Sequence, residues 1–380
     1  MRILYVVSGL STGGAELMLF KLLSTLDRAR IQAYVVTLRD KGVVGPKIEA
    51  LGVPVYELGI AGLWSLPRAI WRSFRIIRQS RPMLIQGWMY HGNLVASLLG
   101  CLASIRVPVL WNIRQSLSDL DAEKRLTALV IRTGVTLSGS ATRIIYNSHK
   151  AARQHEHLGY SGNKAVIIPN GFDTAIFRPN PIAAMALRRE LGIGSKVPLI
   201  GLVARYHPMK DHENFLRAAA LLLQKHPAIR FVMVGRDVVP DNPSLANLIK
   251  GLALEGYVYL LGERVDMPEV TAALDVAVNA SLRGEAFPNA VGEAMACGIP
   301  CVVTDVGDSA WIVGQTGRVV PPCDASALAA VIGELLCGGA EYRIGLGQAA
   351  RFRINELFFL EHVVAQYVAL YELCVAEGKR

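Results

Sequence analysis

The sequence predicts an α/β protein built from two doubly wound parallel sheets. Three observations carry that prediction. Short apolar, β-branched runs alternate with helical patterns from Ile3 onward, the alternation stops in the proline-rich, aperiodic text Phe172 to Pro181, and it restarts at Leu199. Strand–helix alternation implies parallel strands joined by helical crossovers. A chain of 380 residues suits two domains at roughly 100–200 residues each.

In the first half the strands are expected at Ile3–Ser8, Ile31–Leu38, Met83–Gln86, Val107–Trp111, Arg143–Tyr146 and Ala165–Ile168. Helices are expected between them near Gly14–Leu26, Leu66–Ser80, Gly92–Ala103, Lys124–Ser138 and Ser148–Leu158. The turn Pro169-Asn170-Gly171 ends this half and reads as a hinge. In the second half strands are expected at Leu199–Ala204, Arg230–Gly235, Val258–Leu261, Val276–Asn279 and Cys301–Asp305. Helices fall near Glu213–Lys225, Leu245–Leu254, Pro268–Leu274 and Ala325–Leu336, a further one opens at Pro288 and Asn289 and is stopped by Gly298, and one long terminal helix lies near Asn355–Ala376. The domains are therefore 1–170 and 171–355, and the terminal helix, 356–380, is expected to pack back on the first.

Composition narrows the class. With 52% hydrophobic and 19% charged residues the chain is globular. Its six cysteines form no C-x-x-C pair and sit in apolar text, so they read as reduced core residues and imply no zinc site. The apolar start from Met1 to Leu10 is too short for a signal peptide or a membrane span and reads as a first strand. Charge is lopsided: residues 1–180 carry 22 Lys and Arg against 10 Asp and Glu, whereas the remainder carries 18 against 21. An acidic partner is expected at the first half.

The densest chemistry lies in Gly284 to Pro300. A glycine-bounded loop leads through Pro288 and Asn289 into a helix that Gly298 and Pro300 stop. Glu285 precedes the helix and Glu293 sits on its second turn, so two carboxylates flank a helix N-terminus that favours an anion. That combination suits a ligand with both hydroxyls and phosphate, and its plainer reading is a surface glutamate beside an ordinary cap. Arg205 and Lys210 follow the strand Leu199–Ala204 on one loop, where two cations suit a diphosphate. Gly13 and Gly14 close the first strand's loop with the spacing G-x-x-x-G-G rather than the dinucleotide fingerprint. His91 stands where strand four meets a helix; a lone histidine there is more often a cap or a satisfied polar group, and its place at the sheet edge makes it a catalytic candidate. In Leu63–Arg81, Arg68, Arg72 and Arg75 share one helical face with Trp71 and Phe74. This fits either docking on an anionic bilayer or an ordinary outer helix.

Taken together these residues resemble the GT-B-fold glycosyltransferases of family 4 over nearly the whole chain. The specific part is Glu285-x7-Glu293 within E-A-F-P-N-A-V-G-E-A-M-A-C-G-I-P, and Gly13-Gly14, Asn170-Gly171 and Arg205…Lys210 occur in the family's order. The resemblance implies two Rossmann-like domains facing each other across a cleft, the first binding acceptor and the second nucleotide sugar. It implies that Arg205 and Lys210 hold the donor diphosphate, that Glu293 receives the ribose hydroxyls, and that Glu285 touches the transferred sugar, with the amides near the segment Phe287, Pro288, Asn289 and Ala290 close by. Gly13 and Gly14 then approach the donor from the first domain, and His91 lies near the reacting sugar. Two departures stand out: Ala286 where the family commonly has glycine, and Tyr206-His207-Pro208 where smaller polar residues are usual.

The implied activity is a retaining hexosyl transfer from a nucleoside diphosphate sugar, UDP-sugar favoured, to a glycan or glycolipid in cell-surface polysaccharide synthesis. Fixed cations and helix N–H groups stabilise the leaving diphosphate, so neither metal nor cofactor is expected, and nucleic acid is not an expected partner. The expected place is the cytoplasm or, through Arg68, Arg72 and Arg75, the inner face of the plasma membrane. A sugar-nucleotide epimerase and a catalytically idle membrane-surface protein are the competing readings.

Overall fold

The computed structural model describes residues 1–11, 13–60, 62–103, 107–117, 120 and 123–378, and they form two compact units, Met1–Gly171 with Leu360–Arg380 and Phe172–Phe359. In chain order the first unit contains β1 (Arg2–Val7), α1 (Gly14–Thr25), β2 (Gln32–Thr37), α2 (Val44–Ala50), β3 (Val55–Glu57), α3 (Leu66–Ser80) and β4 (Leu84–Trp88). It continues with α4 (Met89–Leu102), β5 (Val109–Ile113), α5 (Arg125–Leu137), β6 (Arg143–Tyr146), α6 (His149–Leu158) and β7 (Ala165–Ile167).

Among the described residues its sheet is parallel throughout, in the order β3-β2-β1-β4-β5-β6-β7. Strands buried on both faces need near-continuous apolar text, which β1 supplies with Ile3 to Val7 all buried. One face is covered by α1 and α2, the other by α3 and α4. The helix α3 matches its expected bounds because its buried residues Ala69, Ser73, Ile76, Ile77 and Ser80 keep a single helical stripe.

The second unit runs α7 (Pro181–Glu190), β8 (Leu199–Val203), α8 (His212–Lys225), β9 (Arg230–Val234), α9 (Pro243–Gly251), β10 (Val258–Leu260) and α10 (Met267–Ala272). Then follow β11 (Val276–Asn279), α11 (Asn289–Ala296), β12 (Cys301–Thr304), α12 (Ser309–Val313), β13 (Arg318–Val320), α13 (Ala325–Cys337) and α14 (Gly339–Leu357). Its strands are also parallel, in the order β10-β9-β8-β11-β12-β13. Helices α7, α10, α11, α12 and α14 pack on one face, and α8, α9 and α13 on the other.

The structure corrects several expectations. The terminal helix is not one piece: α14 ends at Leu357 and a separate α15 (Leu360–Glu377) begins three residues later. Phe358 is fully buried against Phe287 and Trp311, and its carbonyl accepts the N–H of Phe172 at 2.9 Å, so the backbone pairs sideways there instead of continuing the helix. From Leu360 the chain returns to the first unit, where Val363, Tyr367 and Tyr371 enter the core beside α1. An unexpected helix, α7, starts at the last proline of the proline-rich crossing; Asn180 caps it by accepting the N–H of Ala183 at 3.1 Å, with Pro181 at the first helical position. The short elements α2, β3, α12 and β13 were not expected either. Three of the six cysteines, Cys101, Cys323 and Cys337, are exposed rather than core residues.

Candidate active site

Open parallel sheets bind ligands at the carboxyl ends of their strands, where the strand order reverses. In the second unit that point lies between β8 and β11. The loop after β8 carries Arg205 and Lys210, and the loop after β11 carries Glu285. Three contacts tie these loops together. Leu282 donates its N–H to the carbonyl of Met209 at 2.9 Å, Gly284 in a left-handed conformation (φ 76°) leaves room for the Met209 methyl, and Lys210 forms an ion pair with Glu285. The left-handed backbone at Gly284 favours glycine, whereas the flexible Met209 methyl could swing away from a Cβ there.

Glu285 is only 9% exposed. The Ser281 hydroxyl donates to its Oε1 at 2.9 Å, and the Thr304 hydroxyl at the end of β12 donates to the Ser281 carbonyl at 2.7 Å. Burial pushes the Glu285 carboxyl up, but the Lys210 charge with bonds from Lys210, Ser281 and Asn279 outweighs it and holds the group below the usual carboxylate range. It is a fixed anion at neutral pH. A third loop supports this one: Asp308 donates its N–H to the Ala286 carbonyl at 2.9 Å, and Gly307 (φ 58°) lies where a Cβ would strike the Glu285 carbonyl.

Arg205 is exposed at the mouth of the first loop. Sequence reasoning missed Arg283, which is exposed on the second loop and lies close enough that its charge, after burial and those of Arg205 and Lys210, helps lower the pKa of His207. Its signal was available, a cation immediately before the Gly284–Glu285 pair, but only the tertiary fold brings it to His207.

The helix α11 begins at Asn289 after Pro288, which has no side-chain acceptor to cap it. Ala290 and Asn289 are half-buried on its first turn, and Glu293 lies about 6 Å further along the axis. The Phe287 side chain is core, stacked with Phe172 at 6.2 Å and edge-on to Trp311 at 5.7 Å, so only its backbone is left for ligand. Gly292 completes the packing, since a Cβ there would overlap the Phe172 ring.

In the first unit the strand order reverses between β1 and β4. Gly13 caps α1 with an extended backbone and Gly14 is its first residue; Thr12, in the same loop, lies outside the described residues. The carboxylate of Glu16 folds back where a Gly13 Cβ would stand. The Trp88 indole donates to the Ala15 carbonyl at 2.9 Å and so ties this loop to the end of β4. Met89 turns left-handed (φ 65°) to start α4, two residues before His91, and Gly92 lets α4 lie against the β1 backbone. His91 is half-buried; burial and then Arg39 lower its pKa, so its imidazole is neutral at pH 7.

Arg114, also missed, is 8% exposed after β5. It donates to Tyr367 at 2.8 Å, to Asn112 at 3.4 Å and to Asn170, and stacks over Trp88 at 5.1 Å. These partners are all neutral. Asn170 is thus part of a buried network rather than a bare turn.

The Arg68, Arg72 and Arg75 face is not as expected. Arg72 is half-buried and donates to the carbonyls of Glu57 and Leu58 at 3.1 and 3.3 Å, which makes it a tie to β3. The exposed face instead joins Arg68, Arg75 and Arg78 with Trp71 (61% exposed), Phe74 (45%) and the preceding Trp64 (99%). Arg75 stacks over Trp71 at 5.9 Å. Among the described residues no helix is long and apolar enough to cross a membrane, and no group of three or more His, Cys, Asp or Glu could hold a metal ion. Sequence reasoning passed over one D-x-D triplet, Asp119-Leu120-Asp121, whose aspartates lie outside the described residues.

Comparison with known proteins bears on the family and the fold. Residues 12–176 match the family model "Glycosyltransferase Family 4" and residues 197–337 match "Glycosyl transferases group 1", which together account for most of the chain. EpsF of Bacillus subtilis, named as a glycosyltransferase, is 28% identical over 316 residues, covering 80% of this chain and 79% of EpsF. The N-acetyl-alpha-D-glucosaminyl L-malate synthase of Bacillus anthracis is 26% identical across 64% of this chain and 61% of its own length. Among solved structures, Anabaena HepE in complex with UDP superposes with a TM-score of 0.86 at 23% identity, covering 98% of this chain and all of HepE. HepE in complex with UDP-glucose gives a TM-score of 0.83 at 23% identity over 97% of this chain and 99% of HepE. The chain is an enzyme of the GT-B fold and belongs to the group 1 glycosyltransferases.

Proposed function

We propose that this enzyme moves a sugar from a nucleoside diphosphate sugar, UDP-sugar favoured, to a glycan or lipid-linked acceptor, retaining anomeric configuration and using no metal ion. The observation that carries the reading is the set of cations at the switch point of the second sheet, Arg205, Lys210 and Arg283, beside the ionised Glu285. When the anomeric C–O bond breaks, its electron pair passes to the diphosphate oxygen, and charge develops where these cations stand. Arg205 and Lys210 are assigned to the diphosphate, with the first-turn amides of α11 adding N–H donors. Glu293 is assigned to the ribose hydroxyls and Glu285 to the sugar, its carboxylate already oriented by Ser281 and Lys210. His91, neutral at pH 7, is assigned to the reacting sugar, and Gly13 and Gly14 to close backbone approach. The UDP and UDP-glucose complexes of HepE support a uridine donor. A panel of nucleotide sugars, scored for released diphosphate and for the anomeric proton coupling of the product, tests this. Turnover of donor without any acceptor, or an inverted product, contradicts it.

The acceptor is proposed to be lipid-linked, in cell-surface polysaccharide synthesis, because α3 presents Arg68, Arg75 and Arg78 with exposed Trp64, Trp71 and Phe74. Cations flanked by aromatic side chains suit the interface of an anionic bilayer. Peripheral docking on the inner face of the plasma membrane follows from that reading.

A further inference from the structure

His207 stands between Arg205 and Lys210 on the loop after β8. Its ring is held: Nδ1 accepts the N–H of Met209 at 3.2 Å, capping the single turn Pro208–Lys210. An acceptor Nδ1 fixes the neutral tautomer with its proton on Nε2, and the only polar function left to the ring is that N–H. Burial, and then the charges of Arg205 and Lys210 from its own loop and of Arg283 from the loop after β11, lower its pKa and keep the ring neutral.

We propose that the Nε2–H of His207 is a further hydrogen-bond donor to the donor diphosphate, making His207 a specificity residue for the diphosphate. The proposal rests on the nucleotide-sugar reading above. The cap on Nδ1 aligns the ring before ligand arrives, so the donor is preorganised.

Two substitutions separate the ring's two nitrogens. In His207→Asn the amide oxygen can replace Nδ1 as the cap but no N–H reaches as far as Nε2; in His207→Gln the longer amide reaches the Nε2 position and the cap is lost. Calorimetry with UDP, GDP, ADP and the matching nucleosides is the test. His207→Asn is expected to lose about tenfold in affinity for the bound diphosphate and nothing for its nucleoside, with His207→Gln near wild type. If Asn keeps diphosphate affinity while Gln loses it, or if both lose nucleoside affinity equally, the ring is a structural cap and the proposal is overturned. If the wild type binds none of the diphosphates, the donor reading fails and the proposal falls with it.

Discussion

Lys210 and Glu285, 75 residues apart in sequence, meet as an ion pair that joins the loops after β8 and β11. Each is largely withdrawn from water, the Lys210 side chain 25% exposed and that of Glu285 11%. The pair therefore serves the fold of the second unit as well as the chemistry proposed for it.

Lys210→Ala strands a buried carboxylate, so the second unit should lose about 3 kcal/mol of stability in addition to activity. Adding Glu285→Gln should restore part of that loss and none of the activity. Because the folded pKa of Glu285 is depressed, the wild-type contribution is full above the unfolded value of 4.5 and is lost as pH falls through the folded one. Urea titrations of the four proteins of this cycle at pH 7 check the prediction; equal stability throughout would assign the pair no structural role.

Glu293→Ala should weaken nucleoside diphosphate binding by about 1–3 kcal/mol with the melting temperature little changed, since two ribose hydroxyls lose their acceptor. Calorimetry gives the number. Unchanged affinity removes the ribose assignment.

Activity should survive EDTA, with Arg205, Lys210 and α11 meeting the leaving charge. The Asp119-Leu120-Asp121 triplet makes this assay decisive: loss in EDTA with recovery in magnesium or manganese would contradict metal independence and make those aspartates the first residues to substitute.

Two buried histidines set the response to acid. Burial drives His155, whose Nε2 meets the Tyr90 hydroxyl at 2.8 Å, and His212 each down to about 4. The unfolded chain binds those protons near 6.5, so stability is complete above pH 6.5 and falls as pH drops toward 4. Each site contributes about 3 kcal/mol to the fall. Melting temperatures between pH 8 and 4 should show it, and His155→Gln should flatten the curve for the first unit.

Vesicle sedimentation tests α3. Binding should need anionic lipid, weaken with salt, and drop when Arg68, Arg75 and Arg78 become Gln together, at about 1 kcal/mol each. Arg72→Gln should leave binding alone and instead loosen the β3 edge. No binding at low salt makes a soluble acceptor the better reading.

Most strands were legible because a doubly covered parallel sheet demands uninterrupted apolar runs, and Arg143–Tyr146 and Val276–Asn279 have the bounds the text suggests. What escaped were elements whose cause is not local. The three residues of β3 pair only because β2 lies beside them, α7 hides behind prolines although Asn180-Pro181 is a start signal, and the division at Phe358 exists because the N–H of a distant Phe172 donates to its carbonyl. In the candidate site, Glu285, Glu293, Arg205 and Lys210 could be picked from spacing. Their grouping could not: that Lys210 is bound to Glu285, that Arg283 joins the cations, and that Arg72 turns inward all depend on which loops the sheet order makes neighbours.

The return of α15 to the first unit has a consequence for how the protein is made. Tyr371 joins Tyr5 and Gln86, and Tyr367 stacks on Trp88 at 6.5 Å, across as many as 366 residues of chain. A ribosome releases β1 to β7 while α15 has yet to be synthesised, so the part of that sheet's face which α15 covers, beside α1, stays open throughout elongation. The second unit, contiguous from Phe172 to Phe359, has all its elements in hand before α15 emerges. The half of the protein that is translated first is thus completed last, and a nascent chain stopped short of Leu360 carries an uncovered apolar face that chaperones or aggregation will claim.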